Sequence, residues 1–528
     1  MENVQNLGLV LQAVAAAVVA LIIWHILHRR RNSSSVRNIP GPPSPSWLFG
    51  NMVQLRLPNE YGDCEFQWQK LYGTVYRIKG CCGEDRLMVS DPVAMNFILN
   101  AKKFEQTPAY ARSRRILFDK TCLFNVTGQE HARLRAVFNP SFSAAGIRAF
   151  HPMMAKAAEE LTNVMDSHAA GSKTVNMWPV LANATLSAIT RAVLGCESAD
   201  LGEEFVGLVT RVVALVIQVN KTSILIEFFG NQFPEWIWDI IALVPTQTLK
   251  ELRKGKELAK RIGVRLVREK VAAAKLGLEM DGDVFSQLAK PNHSGKVRLT
   301  EEEVAAHTSL LVLAGYETSS NALAFGLLEL ARNPAFQDAL RREIHGACGG
   351  MALTDVGFND MPLLNAFIKE ILRLHPGLGL EDLMATEDTV LPLRKSIITL
   401  SGECISQIPI QKGQIVGLAI ASSQRAESLW GPDADKFNPY RWIQGNNYQG
   451  EAIGPYANLS SFLGGPRTCL GWRFALVEMQ MFLCELVGKY SFSFPGEGDS
   501  TRAAGAHMVA PVTSDGQRGA PLRVTRIV

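Results

Sequence analysis

The feature that most restricts the fold is a glycine-rich decamer near the C-terminus, which runs from Phe462 to Gly471 and reads FLGGPRTCLG. Its cysteine, Cys469, is flanked by glycines and comes just before Trp472–Val487, a segment whose pattern predicts a helix. Glycines let the backbone turn tightly and approach a flat ligand. Amide groups at the start of a helix stabilise a sulfur anion. An isolated Cys-x-Gly is usually only a loop cysteine, but the wider spacing Phe-x-x-Gly-x-Arg-x-Cys-x-Gly predicts a thiolate ligand.

Composition indicates a large globular core and excludes several classes of protein. The chain is 47% apolar and 20% charged, which is ordinary for a globular protein. A net charge of +4 is too small to indicate nucleic-acid binding. The nine cysteines are odd in number and contain no Cys-x-x-Cys pair. We therefore expect free thiols in a reducing compartment, not a disulfide framework or a zinc site.

The N-terminus carries a segment that predicts membrane attachment. Leu7 to Leu27 contains no charged residue and is long enough for a helix to cross a bilayer. The alternative is a cleaved signal peptide, but the basic cluster Arg29–Arg31 follows the apolar segment instead of preceding it. The positive-inside rule then puts the following chain in the cytosol. We expect an anchor over residues 1–31, a proline-rich linker over 32–50 and one catalytic domain over 51–528.

The longest continuous helix predicted from the sequence runs from His307 to Asn333 and is apolar nearly all round, which is typical of a central buried helix. In its middle, the small residues Ala314 and Gly315 precede Glu317 and Thr318. Small side chains leave room for a flat ligand against the backbone, and a threonine hydroxyl can locally open such a helix. Close helix packing, with the threonine bonded to its own helix, explains the same residues.

These motifs resemble those of the cytochrome P-450 family of haem-thiolate monooxygenases, especially the microsomal enzymes of filamentous fungi. The resemblance implies a mainly α fold with small β-sheets, preceded by a single N-terminal transmembrane helix. It implies haem b with Cys469 as the axial ligand, and a proton relay through Thr318 and Glu317. The residues that it places around the haem are Phe462, Gly465, Arg467, Gly471, Ala314, Gly315, His131 and Arg135.

His131 and Arg135 are four residues apart in a helix that the sequence predicts to begin at Gly128 and to end before Pro140, so they share one face. A surface amphipathic helix would explain this pair equally well. The resemblance implies that the two side chains contact the haem propionates together with Arg467. Many family members also carry a propionate arginine shortly after the Leu-His-Pro motif, but this chain has Glu381 and Asp382 there. We expect both to be solvated turn acids. The alternative is a hydrogen bond from one of them to a substrate hydroxyl or amine.

Glu370 and Arg373 are three residues apart, a spacing that also occurs in ordinary helix-surface pairs. The family resemblance implies that they form a buried structural lock with Arg441. The segment Gly73–Asp91 predicts a β-hairpin, whereas Thr107–Phe124 has no clean period and is expected to be a loop. The apolar segments Ser223–Phe229 and Phe233–Ile241 indicate either core packing or contact with the lipid interface.

The family resemblance implies an enzyme that inserts one oxygen atom from dioxygen into a hydrophobic substrate, which we expect to be a terpenoid or another secondary metabolite. No flavin or nicotinamide fingerprint is present, so electrons should come from NADPH through a separate reductase docked near Cys469, with cytochrome b5 as a second possible donor. The expected location is the endoplasmic reticulum membrane. One alternative is a haem-thiolate isomerase or dehydratase that needs no reductase, which the presence of Thr318 disfavours. The other is a membrane-anchored haem sensor without turnover.

Overall fold

The computed structural model describes residues 35–527, except 170–173, 208–218, 234–235, 237, 239–246, 279–281, 290–298, 446–447 and 497–500. The predicted anchor over residues 7–27 lies outside the described residues, as does most of Phe233–Ile241. In the part of the chain that is described, no helix combines the length and apolar character that crossing a membrane requires.

Most of the described chain is helical, as the sequence predicts. The helices are α1 (Met52–Arg56), α2 (Glu65–Tyr72), α3 (Pro92–Asn100), α4 (Pro108–Leu117), α5 (Gly128–Phe138), α6 (Ala144–Ala169), α7 (Met177–Leu194), α8 (Lys221–Gly230), α9 (Gln247–Lys275), α10 (Val284–Ala289), α11 (Glu301–Ala305), α12 (Thr308–Arg332), α13 (Pro334–Cys348), α14 (Pro362–Leu374), α15 (Ile420–Ser423), α16 (Glu427–Trp430) and α17 (Trp472–Lys489).

The strands form one larger sheet and three small ones. They are β1 (Val75–Lys79), β2 (Asp85–Val89), β3 (Phe104–Gln106), β4 (Thr174–Asn176), β5 (Leu380–Ala385), β6 (Thr389–Ile398), β7 (Cys404–Ile410), β8 (Ile415–Ala419), β9 (Tyr490–Ser493), β10 (Arg502–Ala504), β11 (Ala510–Val512) and β12 (Pro521–Arg526). The five-stranded sheet has the order β1-β2-β8-β5-β3. Only its β2–β8 pairing is parallel, and the register of β8 places Val416 opposite both Leu87 and Leu383.

Helix α12 lies at the centre of the helical part. It is buried along most of its length and packs most extensively against α7, with further contacts to α14 and α17. The predicted helix His307–Asn333 is therefore confirmed to within one residue at each end, and Pro334 begins the next helix. Proline at that position removes a backbone donor and cannot continue the preceding helix, which explains where α12 ends.

The predicted hairpin over Gly73–Asp91 is confirmed, since β1 and β2 pair antiparallel. The predicted loop over Thr107–Phe124 is wrong in part, because α4 occupies Pro108–Leu117. Pro108 sets the helical backbone angle at the first position of α4. Tertiary contacts then stabilise the helix: the Ala109 backbone N–H donates to Asn231 Oδ1 at 2.8 Å. Because these partners lie more than a hundred residues away in sequence, local periodicity could not show this helix.

Candidate active site

The loop before α17 holds Cys469 in a defined position. The Cys469 backbone N–H donates to the carbonyl oxygen of Phe462 at 2.9 Å, which closes the loop on itself. Gly465 has a left-handed φ of +63°, and a Cβ at this residue would lie 2.5 Å from the carbonyl oxygen of Leu99. Any larger residue at position 465 would therefore strain the backbone and collide with a neighbouring helix. The glycines serve the shape of the loop, as the sequence indicated.

The thiol of Cys469 lies inside the fold but faces open space. Its side chain is accessible, although burial among its neighbours raises its pKa above the ordinary value. The nearby Gly471 backbone N–H and the positive charge of Arg135 both lower the pKa of the thiol, although burial outweighs them. A metal cation beside the sulfur would supply the remaining stabilisation, because a coordinated thiol is deprotonated.

Helix α12 forms the opposite wall of this space. Ala314 is exposed and Thr318 is half-exposed, although nearly every other residue around them is buried. The Thr318 hydroxyl donates to the Ala314 carbonyl oxygen at 3.0 Å, so this backbone carbonyl of the helix accepts a side-chain hydrogen bond. Leu470, next to the cysteine, packs in the same apolar cluster as Leu313, next to the alanine. Cys469 and Ala314 are therefore accessible residues that flank one shared apolar cluster, and the space beside them is the candidate site.

Gly315 and Glu317 point away from this space. A Cβ on Gly315 would lie 2.4 Å from the side chain of Ile189 in α7, so this glycine allows the two helices to pack closely. Glu317 is 1% exposed and forms an ion pair with Arg518, whose guanidinium lies over the Trp178 ring, 4.9 Å from its centroid. The structure thus brings Ala314 and Thr318 to this space and turns the carboxylate of Glu317 away from it, while Gly315 is partly exposed and its Cβ position faces α7.

A cationic cluster surrounds the same loop. The Arg135 guanidinium donates to the Thr468 carbonyl oxygen at 2.9 Å, and Arg467 donates to the carbonyl oxygens of Leu123 and Val126. Burial and the two neighbouring arginines lower the pKa of His131 to about 4. Three cationic or protonatable side chains thus lie together, and none of the ion pairs among the described residues includes them, which suits a ligand that carries negative charge.

Arg114 belongs to this cluster and was missed by sequence reasoning. Burial lowers its pKa, its charge lowers the pKa of Arg467, and its guanidinium lies 5.3 Å from the Tyr110 ring centroid and 5.7 Å from that of Phe124. Its Nε is buried without a hydrogen-bond partner. The only available signal was an arginine in a segment without helical period, which did not distinguish it from its neighbours.

The residues of the expected lock are in direct contact and fully buried or nearly so. The Arg373 guanidinium donates twice to the carboxylate of Glu370, at 2.8 and 2.9 Å, and the Arg441 Nε donates to the same carboxylate at 3.2 Å. Trp442 Nε1 and the Asn438 backbone N–H, both at 2.8 Å, complete the set of donors. Both oxygens of this buried carboxylate therefore accept hydrogen bonds, as a buried ion cluster requires.

Glu381 and Asp382 are not solvated turn acids, so that expectation is wrong. Both lie in β5, and each is only 7% exposed. Asp382 forms an ion pair with Arg56 at 2.5 Å, whereas Glu381 accepts a hydrogen bond from the Gln106 amide at 2.8 Å. Pairing of β5 with β8 on one side and β3 on the other draws this segment into the sheet.

The donor set fits a flat metal complex with acidic groups at its edge. A thiol at a helix N-terminus faces the space from one side, a helix with an accessible alanine forms the other side, and cationic side chains gather near the loop. The model for the cytochrome P-450 family matches residues 40–513. The chain belongs to the cytochrome P-450 family.

Fungal relatives of this P-450 cover nearly its whole length. The chain is 29% identical over 522 residues to the cytochrome P-450 monooxygenase claQ of Ampulloclitocybe clavipes, with 95% of each chain covered. It is 30% identical over 503 residues to cytochrome P-450 monooxygenase 205 of Postia placenta, with 92% of this chain and 91% of the relative covered. This P-450 is accordingly a haem-thiolate monooxygenase that takes electrons from a reductase.

Proposed function

We propose that this P-450 inserts one oxygen atom of dioxygen into a hydrophobic substrate, either a terpenoid or another secondary metabolite. The observation that carries the reaction is the space between Cys469 and the accessible face of α12 at Ala314 and Thr318. The substrate class rests on the likeness to fungal monooxygenases and on the apolar character of the segments around the active site. The isomerase alternative has no specific observation in its favour.

The residues of the active site have separate roles in the proposed reaction. When bound, the haem would supply the activation of dioxygen, and the Cys469 thiolate would hold its iron. Arg135, Arg467 and Arg114 would neutralise the haem carboxylates, and neutral His131 would donate a hydrogen bond to one of them. The Thr318 hydroxyl is the proton donor that faces the space, and it can exchange its bond to Ala314 for a bond to water. Glu317 would reach a proton relay only if its carboxylate left Arg518.

Exposed apolar side chains support membrane attachment beside the predicted anchor. Trp47 is 66% exposed, and Leu400 at the tip of the β6–β7 hairpin is 63% exposed. The Leu400 backbone N–H donates to the Asn38 carbonyl oxygen at 2.8 Å, which ties this tip to the proline-rich linker. We propose that these side chains enter the interface of the endoplasmic reticulum membrane, since tryptophan favours that depth.

The reductase is proposed to dock where cations lie beside the cysteine loop. The Arg473 guanidinium lies 4.0 Å from the Trp472 ring centroid, and the Lys369 ammonium lies about 6 Å from the rings of Trp442 and Tyr456. Trp472 directly begins the helix that follows Cys469. Positive charge at this face would attract an acidic partner and raise its association rate.

The test is reconstitution of the full chain with a fungal NADPH reductase in vesicles, followed by product analysis against terpenoid, fatty-acid and aromatic compounds. We expect oxygen-dependent consumption of NADPH and products that are one oxygen atom heavier than their substrates. Thr318→Ala should keep substrate binding and NADPH consumption while lowering the product formed per NADPH. A product that forms without NADPH and reductase would favour an isomerase, and binding without any turnover would favour a sensor.

A further inference from the structure

A small polar cavity lies among α4, α8 and β5, in a chain whose substrate we expect to be hydrophobic. Its volume is about 10 Å³, and its lining residues are Thr107, Tyr110, Glu227, Glu381, Asp382 and His507. A space of this size holds one atom comparable to a water oxygen. The lining comes from helices α4 and α8, strand β5 and the chain before β11, which are far apart in sequence.

The cavity is close to the reaction site along the chain. A Cβ on Gly377 would lie 3.6 Å from the Thr318 side chain, so the two residues are in contact. Glu381 follows Gly377 by four residues, which span at most about 14 Å when fully extended. Next to Glu381, the Leu380 carbonyl oxygen lies 2.9 Å from His507 Nδ1. A single elongated molecule could therefore reach both the cavity and Thr318.

Two of the three carboxylates in the lining already have cations. The Arg56 guanidinium donates to Glu227 at 2.9 and 3.1 Å and to Asp382 at 2.5 Å, and Arg86 lies 3.6 Å from Asp382. Glu381 has only the neutral Gln106 amide within hydrogen-bond distance. Of the three acids, Glu381 is the one without an arginine at ion-pair distance, although the charge of Arg114 lowers its pKa from farther away.

The hydroxyl of Thr107 independently indicates that the cavity lacks a hydrogen-bond partner. Thr107 precedes α4 at the N-cap position, where a threonine hydroxyl usually accepts a hydrogen bond from a helix N–H, but it makes no such bond. The residue is 1% exposed, and its Oγ1 is buried without a hydrogen-bond partner. An unmade bond at a buried hydroxyl is costly, so the group calls for a ligand atom.

We propose that this cavity binds a hydroxyl group of the substrate. Glu381 accepts a hydrogen bond from this hydroxyl, and Thr107 is the second residue that bonds to it. The inference rests on the proposed function and narrows the substrate class to hydrophobic alcohols. A hydroxyl both donates and accepts, and so can satisfy the carboxyl of Glu381 and the hydroxyls of Thr107 and Tyr110 together. An ammonium group only donates, so it would leave the hydroxyl hydrogens of Thr107 and Tyr110 without an acceptor.

The experiment compares matched pairs of probes with the haem-loaded full chain: dodecane with dodecanol, cedrane with cedrol, and adamantane with adamantanol and adamantylamine. Binding constants come from the change in the haem absorption spectrum on titration. We expect at least one alcohol to bind about tenfold or more tightly than its hydrocarbon, since a site built for a hydroxyl rejects an analogue without one. Tighter binding of the amine than of the alcohol, without the spectral shift that a nitrogen ligand on the haem iron produces, would overturn the assignment to a hydroxyl.

Variants test which residues cause the preference for alcohols. Thr107→Val and Glu381→Leu should each reduce the alcohol preference several-fold, and Glu381→Gln, which keeps an acceptor, should retain part of it. Glu387→Leu is the matched control, because Glu387 is exposed just beyond the same strand. Equal affinity for alcohol and hydrocarbon in the parent, or an unchanged preference in both Thr107→Val and Glu381→Leu, would overturn the proposal.

The proposed function and the proposed hydroxyl site can be contradicted independently of each other. The parent and every variant are first checked for the carbon monoxide spectrum of a thiolate-ligated haem and for reductase-dependent NADPH consumption. Loss of both signals in the parent would contradict the proposed function. A parent that shows both, but no preference for alcohols, contradicts only the hydroxyl site.

Discussion

Glu317 and Arg518 form an ion pair between the middle of helix α12 and the C-terminal segment, across 201 positions of sequence. The adjacent residue Thr318 faces the space beside Cys469, so two neighbouring side chains of one helix point to different surroundings. The pair links the helix of the active site to the chain that precedes β12.

Arg518→Gln should destabilise the protein, because it leaves the buried carboxylate of Glu317 without a cation. The expected loss is on the order of 3 kcal/mol, measured by thermal or denaturant unfolding of the haem-loaded protein. The double variant Glu317→Gln with Arg518→Gln should recover most of the loss. Arg523→Gln, at an exposed position of β12, is the control and should change stability little. Equal effects of Arg518→Gln and Arg523→Gln would contradict this account.

The buried lock should matter far more than an exposed pair of the same spacing. Glu370→Gln removes the charge that two arginines share, so we expect a loss of about 3–5 kcal/mol and a reduced yield of haem-loaded protein. Asp338 and Arg341 form a pair of the same spacing in α13, with the Asp338 side chain 60% exposed. Asp338→Asn should cost less than about 1 kcal/mol. Comparable losses in the two variants would show that burial of the lock does not set its importance.

Arg114 should contribute to haem retention although its neighbour does not. Arg114→Met is expected to speed haem transfer to an acceptor protein about tenfold, because one charge-assisted hydrogen bond to the haem is lost. Arg115→Met, at the next and exposed position, serves as the control. Transfer rates that are unchanged in Arg114→Met would remove this residue from the haem site.

A buried acid behind helix α12 should make stability fall as pH rises. Burial raises the pKa of Glu478 from 4.5 to about 8, and the nearby Ser319 hydroxyl, whose geometry is too poor for a good hydrogen bond, only partly opposes this. The unfolded chain releases this proton at a lower pH than the folded protein does. Between pH 4.5 and about 8 the folded state therefore holds more protons, and the free energy of unfolding decreases with rising pH.

Glu478→Gln should abolish this contribution. The change that it causes in the free energy of unfolding should therefore be more favourable at pH 8 than at pH 5, by at least about 1 kcal/mol. Denaturant unfolding at a series of pH values measures the slope. Glu403→Gln, at an exposed position, is the control. A steeper decline in Glu478→Gln than in the parent would contradict the assignment.

Sequence reasoning reached those parts of the fold and site that depend on local pattern. The decamer around Cys469, the apolar helix α12 and the hairpin β1–β2 each follow from spacing within a short segment. Helix α4 could not be predicted in this way, since distant residues such as Asn231 stabilise it.

The same limit explains two differences within the site. Glu381 and Asp382 were expected in solvent because nothing local shows that β5 is enclosed by β3 and β8. Glu317 was expected beside Thr318 in a relay, yet the partner that decides its direction, Arg518, lies far along the chain. Tertiary contacts, not propensity, determine both outcomes.

The most direct test of the account is the absorption spectrum of the reduced protein under carbon monoxide. Ligation by Cys469 predicts the strongly red-shifted Soret band of a thiolate-bound haem, and Cys469→Ser should lose that band. A parent protein without the red-shifted band, or a Cys469→Ser variant that keeps it, would contradict the central claim.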